Sequence, residues 1–221
     1  MKNLKNDTVI FLQKLTSVYI VLLITVFLFY FDSHGYLAIA EAKLSAFHII
    51  CGGYIILAFL ILLEGLLIGQ LTPDFFRTLL RQSSWTQRLI LLYLLLTLLS
   101  ALFSPYGKAA WTGVSRHEGA LTIAVYCLCF LFVSNFGKAE RWMLHAFAVS
   151  VFVFCCLCMV QLYGGNPFTL YPEGYNYFDA NQAYSGAYLG TIGNVDLVAA
   201  FLSIAIPVLW VAILRLQGKL R

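Results

Sequence analysis

"VIFLQKLTSVYIVLLITVFLFYF", residues 9–31, runs for twenty-three positions with a single charge, Lys14. As a helix it would be roughly 34 Å long, enough to cross a hydrocarbon core of about 30 Å. Lys2 and Lys5 precede it, as in a secretory signal. The apolar run exceeds the roughly 7–15 residues of a signal h-region, however. Ala38-Ile39-Ala40, which resembles a cleavage site, lies well beyond its end. The run therefore reads as an uncleaved first membrane helix.

The rest of the chain repeats this pattern. Its 221 residues are 61% hydrophobic and 11% charged, with a mean hydropathy of +0.84. An ordinary soluble domain is about 25% charged, so a water-facing surface cannot be built from this supply. Continuous Leu, Ile, Val and Phe without alternation exclude the strands of an outer-membrane barrel. The sequence predicts an all-α integral membrane protein, one polytopic domain with about six spans: 9–31, 48–70, 88–103, 118–135, 142–163 and 195–214. The third is the shortest, and a tilted or partly interfacial course is expected for it. There is no internal repeat or low-complexity tract.

The net charge of +4 is spread over the connections in a way that orients the chain rather than marking a nucleic-acid partner. With both termini cytoplasmic, the inner segments hold Lys2, Lys5, Lys14, Arg77, Arg81, Arg88, Lys138, Arg141, Arg215, Lys219 and Arg221. The outer segments hold only Lys43, Lys108 and Arg116, which is a strong positive-inside bias. Residues 32–47, 104–117 and 164–194 then face outward. The last is long enough to be a binding loop or lid. It carries Tyr171, Tyr175, Tyr177, Tyr184 and Tyr188, with Phe168, Phe178, Glu173 and Asp179, and neither Lys nor Arg. Its aromatics suit either a sugar chain or the bilayer interface, and partition to the interface is the commoner reason for them.

All six cysteines, Cys51, Cys127, Cys129, Cys155, Cys156 and Cys158, fall in apolar runs, where cysteine packs as a small hydrophobe. No zinc or disulfide spacing appears among them. His34, His48 and His145 are scattered, and no Walker loop or dinucleotide fingerprint is present.

Three places concentrate polar chemistry. "WTGVSRHEGALT", residues 111–122, sets Arg116, His117 and Glu118 side by side at the start of the fourth span. Ser115 and Glu118 fit the S-x-x-E capping box. Arg116 would then occupy the first helical turn, against the macrodipole, unless an anion rests there. Lys108 adds positive potential, making Arg116 and Lys108 a candidate pyrophosphate or anion site. "GTIGNVDLVAAFLSIAIPVL", residues 190–209, offers Asn194 or Asp196 as a helix cap. Gly190 and Gly193 suit a tight non-helical approach, and Pro207 predicts a kink. Glu64 is the one acid deep in a span, a functional candidate by default, with Arg88 as a structural partner. Gly65 and Gly69 beside it form a G-x-x-x-G close-packing pattern.

"FSPYGKAAWTGVSRHEGALTIAVYCLCF" and "GTIGNVDLVAAFLSIAIPVL", in this order and separation, resemble segments of the O-antigen ligase and polymerase family, specifically its N-terminal half. The two segments cover about a third of the chain. The family pattern places motif positions at Arg116, Glu118, Asn194 and Asp196. It departs at Asn194-Val195-Asp196, where the family has Asn-Pro-Asn, and at Ala187-Tyr188-Leu189, where an arginine is expected.

The resemblance implies a multi-pass protein of the bacterial inner membrane. It would act on an undecaprenyl-pyrophosphate-linked glycan and transfer it to an acceptor sugar on the outer face, as an inverting, metal-independent glycosyltransferase without cofactor. Family members have about twice this length and carry an essential histidine and arginine in a later outer loop. The implied chain is therefore incomplete for catalysis alone, with a second polytopic chain as a partner for the missing half, besides membrane lipid. The residues by themselves leave open whether it is an enzyme. A transporter or flippase component, suggested by Glu64, Pro207 and the glycine pairs, and a non-catalytic membrane subunit are the other readings.

Overall fold

The computed structural model describes residues 7–114, 117–172 and 189–216; they form helices and connections, with no strand among them. The chain divides into two compact units, residues 1–20 with 48–138 and residues 21–47 with 139–221. Five helical stretches are long and apolar enough to cross a membrane: Asp7–Phe27, Ile39–Leu67, Trp85–Leu102, Arg141–Leu162 and Val195–Arg215. Ala120–Phe136 is a shorter apolar helix. An all-α membrane protein follows from these lengths, because a helix is one of the two structures that satisfy their own backbone in lipid.

In the first unit, α1 (Asp7–Leu22, its last two residues belonging to the other unit) meets α3 (Gly53–Leu67). The α3 helix follows a π-helical turn at His48–Gly52. Tyr19 and Tyr54 stack with centroids 4.0 Å apart and planes 7° from parallel. Thr16 Oγ1 bonds Tyr54 Oη at 2.9 Å, and Tyr19 Oη bonds Cys51 Sγ at 3.4 Å. These paired hydroxyls let polar groups lie buried inside an apolar bundle. Of the G-x-x-x-G pair, only Gly65 is a packing glycine: a Cβ there would stand 2.7 Å from Thr8 Cγ2. Gly69 has φ +72 with nothing near its Cβ position, so it ends α3 in the left-handed conformation instead.

The segment between the second and third spans holds a helix that apolar-run reading passes over. α4 (Pro73–Arg81) has Pro73 in its first turn, apolar Phe75, Phe76, Leu79 and Leu80, and charged Asp74, Arg77 and Arg81. Next, α5 (Trp85–Leu102) opens with a full capping box, Ser84 Oγ accepting from Gln87 N and Gln87 Oε1 accepting from Ser84 N. The third span is thus 18 residues, and the shortest apolar helix is α7 (Ala120–Phe136, 17 residues), not the third as expected. α7 packs on α3 and α5, and the five-residue α6 (Lys108–Thr112) lies against it. Cys127 and Cys129 are both buried on α7, as packing residues.

In the second unit, the first long helix continues as a π-helical stretch, Leu23–Phe27, and stops after Phe29. α2 (Ile39–Phe47) runs without a break into the π turn and α3, so the second apolar helix begins at Ile39 and not at residue 48. Lys43 therefore sits on a helix rather than in a loop. Its Nζ donates to Phe27 O at 2.7 Å and Leu28 O at 2.9 Å, ending the first helix by satisfying its last carbonyls. α8 (Arg141–Leu162) and α9 (Val195–Leu216) pack around Phe154, which is 0% exposed and touches Phe201 edge-on at 5.6 Å.

Candidate functional site

Within the second unit, a buried polar network surrounds the start of α9. Tyr36 Oη donates to Gly190 O at 2.5 Å and accepts from Gln161 Nε2 at 2.6 Å. Gln161 Oε1 in turn accepts from Gly190 N at 2.8 Å. Both polar backbone atoms of Gly190 are thereby held by side chains from distant parts of the chain. Thr191 Oγ1 donates to Leu28 O at 2.7 Å, joining Lys43 on the same carbonyl. Burial pushes the Tyr36 phenol well above its ordinary value, so it remains a protonated donor.

The glycines behave as their sequence suggests. Gly190 has φ +52 and Gly193 φ +83, and a Cβ on Gly190 would lie 2.5 Å from Phe154 Cε2. Asn194 then caps α9, its Oδ1 accepting from Asp196 N at 2.8 Å and Leu197 N at 3.3 Å. Asp196 is exposed in the first turn, where its charge suits the dipole. The helix runs on through Pro207 as one element. Among the aromatics of the outer loop, Tyr171 is buried and edge-on to Tyr36 at 4.9 Å, so it packs this network rather than offering a free face. Phe168 is exposed. Glu173, Tyr175, Tyr177, Phe178, Asp179, Tyr184 and Tyr188 lie outside the described residues.

In the first unit, the expected capping box at the fourth span is corrected. The helix begins at Ala120 behind Gly119, with no side-chain cap. Glu118 is exposed and precedes it. Ser115 and Arg116 lie outside the described residues. His117 N donates to Val114 O at 2.8 Å, and His117 takes a φ of +54. Thr122 Oγ1 ties His117 O to the helix at 2.8 Å. Gly113 and Gly119 face each other so closely that a Cβ on Gly113 would lie 2.5 Å from Glu118 N.

Glu118 lines one end of a groove of about 450 Å³ with Ile123, Tyr126, Cys127 and Phe130 of α7 and Ile90 and Tyr93 of α5. From Ala120 to Phe130 the α7 axis runs about 15 Å. The groove is an apolar trough with phenols along it and a carboxylate at one end. Lys108 is exposed at the first position of α6. Glu64 is exposed on α3, and its expected partner goes elsewhere. Arg88 bonds Ser83 Oγ at 3.2 Å and Arg81 O at 3.4 Å and covers the Trp85 ring. Glu118 belongs to one compact unit, and Asn194 and Asp196 to the other.

Sequence reading missed Tyr36, Gln161 and Thr191. Gln161 carried a usable signal, an amide near the end of an otherwise apolar run of about twenty residues, where an unpaired polar group is costly.

Fold and sites together define an all-α protein with membrane-crossing helices, a polar-clamped helix start in one unit and an amphiphilic groove in the other. No family model, curated protein or solved structure matches this chain.

Proposed function

We propose that this chain is a multi-pass protein of a bacterial inner membrane, with six crossing helices and cytoplasmic termini, that binds an undecaprenyl-pyrophosphate-linked glycan for ligase- or polymerase-type transfer on the outer face. The observation that carries the reading is the α5–α7 groove. It offers an apolar path for a prenyl chain, with the carboxylate of Glu118 in its lining. Five of its seven lining residues, Glu118, Ile123, Tyr126, Cys127 and Phe130, fall in the stretch that resembles the ligase family. In this reading the prenyl chain lies along Ile90, Tyr93, Tyr126 and Phe130. The diphosphate sits by Lys108 and Arg116, where guanidinium and ammonium donors form charge-assisted bonds. The clamp on Gly190 holds the second motif, and glycan transfer needs groups from a further polytopic partner.

Photo-crosslinking with a benzophenone-bearing polyprenyl diphosphate, in nanodiscs, tests this. Labelled peptides should map to α5 and α7. Each of Lys108→Gln and Arg116→Gln should weaken labelling about tenfold, the equivalent of a lost charge-assisted bond of about 1.5 kcal/mol. Labelling spread over all helices, or unchanged in both variants, would sink the proposal.

A further inference from the structure

The α5–α7 pair has a second hollow on another face. An open hollow of about 210 Å³ is lined by Phe59 and Leu62 of α3, Phe76, Leu79 and Leu80 of α4, Leu91 of α5 and Leu128, Leu131 and Phe132 of α7. Ser83, Gln87 and Asn135 stand at its polar end. Those polar groups are already engaged. Gln87 Nε2 donates to Ser134 Oγ at 2.9 Å and Asn135 Oδ1 at 3.2 Å, and Asn135 Nδ2 donates to Leu131 O at 2.7 Å. The hollow therefore offers nothing to a polar guest. What fits inside is hydrocarbon.

Cations adjoin the lining residues, with Arg81 directly after Leu80. Arg88 bonds Ser83, which lines the hollow, and reaches the carbonyl of Arg81. Lys138 follows the lining residue Phe136 by two positions, and all three cations are exposed. The acids of α3 and α4 do not cancel them. Asp74 is occupied by Arg77 at 3.7 Å. Glu64 is two residues from Leu62, so it faces roughly the opposite side of α3. Trp85, 77% exposed beside Arg88, is the residue type that anchors at the membrane–water interface. α4 has the division of an interfacial helix, aromatic and leucine side chains on the hollow and charge elsewhere. Together these make an apolar slot roofed by an interfacial helix, with positive charge at its mouth.

We infer that this slot holds one acyl chain of an anionic phospholipid from the surrounding bilayer, with the lipid phosphate among Arg81, Arg88 and Lys138. The site is independent of the glycan-carrier reading, since it shares no residue with that groove. Bound lipid pins α4 to the bundle and covers the Leu79 and Leu131 side chains.

The test is native mass spectrometry of the detergent-purified full chain, incubated with dioleoyl phosphatidylglycerol or dioleoyl phosphatidylcholine. The chain should retain phosphatidylglycerol at least tenfold better. Arg81→Gln, Arg88→Gln and Lys138→Gln should each lower that preference about fivefold, which corresponds to about 1 kcal/mol per surface cation. Leu79→Trp, which fills the slot, should lose the retained lipid while its circular dichroism matches the parent. Equal retention of both lipids, or an undiminished preference in the triple Gln variant, overturns the proposal. So does displacement of bound phosphatidylglycerol by glycerol 1-phosphate at equal concentration, because a headgroup alone would then suffice.

Discussion

Tyr36→Phe removes one oxygen and breaks two hydrogen bonds of unequal replaceability. Gly190 O loses its 2.5 Å donor, and Gln161 Nε2 loses its 2.6 Å acceptor. Tyr36, Gln161 and Gly190 are all buried, so water does not readily take either place. Orphaning a buried polar group costs about 1–3 kcal/mol, with values near the lower end in membrane proteins. Two orphans at about 1 kcal/mol each give a loss of about 2 kcal/mol. For a chain of this size that is a fall of roughly 4–8 °C in melting temperature. Thr191→Val supplies the control: Leu28 O loses Thr191 but keeps Lys43 Nζ at 2.9 Å. No acceptor is orphaned, and the cost should be about 0.5–1 kcal/mol. Gln161→Leu sharpens the comparison. In its background Tyr36→Phe orphans only Gly190 O, so the double variant should be about 1 kcal/mol less damaged than the sum of the singles. Melting in detergent, followed by tryptophan fluorescence, reads the four variants against the parent. The network is not what holds the α9 start if Tyr36→Phe melts within 1 °C of the parent, or if the two changes add strictly.

Four further outcomes follow. Gly65→Ala should cost about 1–3 kcal/mol by overpacking, because its Cβ would lie 2.7 Å from Thr8 Cγ2. Gly69→Ala, with open space but φ +72, should cost about 1–2 kcal/mol from backbone strain alone; that loss should vanish in Gly69→Asn, which tolerates the conformation, while Gly65→Asn is worse than Gly65→Ala. Ser84→Ala should lose about 1 kcal/mol by opening the α5 capping box, measurable as a lower melting temperature. Alkali should destabilise the chain through Tyr36. Its folded pKa is raised above the ordinary 10.0, so stability is intact below about pH 10 and declines as the unfolded phenol ionises above it. Melting curves from pH 8 to 11 should show a shallower decline in Tyr36→Phe than in the parent.

The two S-x-x-[EQ] patterns in this chain show why helix existence was legible and helix limits less so. Ser84 to Gln87 forms the complete box. Ser115 to Glu118 has the same spacing, yet its helix starts behind Gly119. A helix opened at residue 116 would carry Gly119 in its first turns, at about 1 kcal/mol against alanine. It would also separate Gly119 from Gly113, whose backbones touch. That second cost is tertiary and leaves no trace in local spacing. The start of α2 was misplaced for a related reason. Residues 32–47 with Lys43 read as an outward connection, but Lys43 turns back onto the carbonyls of Phe27 and Leu28, so a helix there leaves its ammonium satisfied.

The same physics says where to look for sites in an apolar chain. Long Leu and Ile runs establish that helices exist, since nothing else buries such residues in lipid without orphaning backbone groups. They carry almost no information on which faces meet. That information sits in the few polar residues the runs tolerate, each of which needs a partner. Thr16 finds Tyr54, Gln87 finds Ser134 and Asn135, and Gln161 finds Tyr36 and Gly190 across 125 and 29 positions. Charge is a poorer guide: Glu64, the most conspicuous ionisable residue in a span, is exposed, whereas neutral Gln161 is 0% exposed. An amide can be buried once two neutral partners surround it, while a carboxylate needs a cation or water. In a chain with 11% charge, the buried amides and hydroxyls are therefore what specify the packing around its glycine motif.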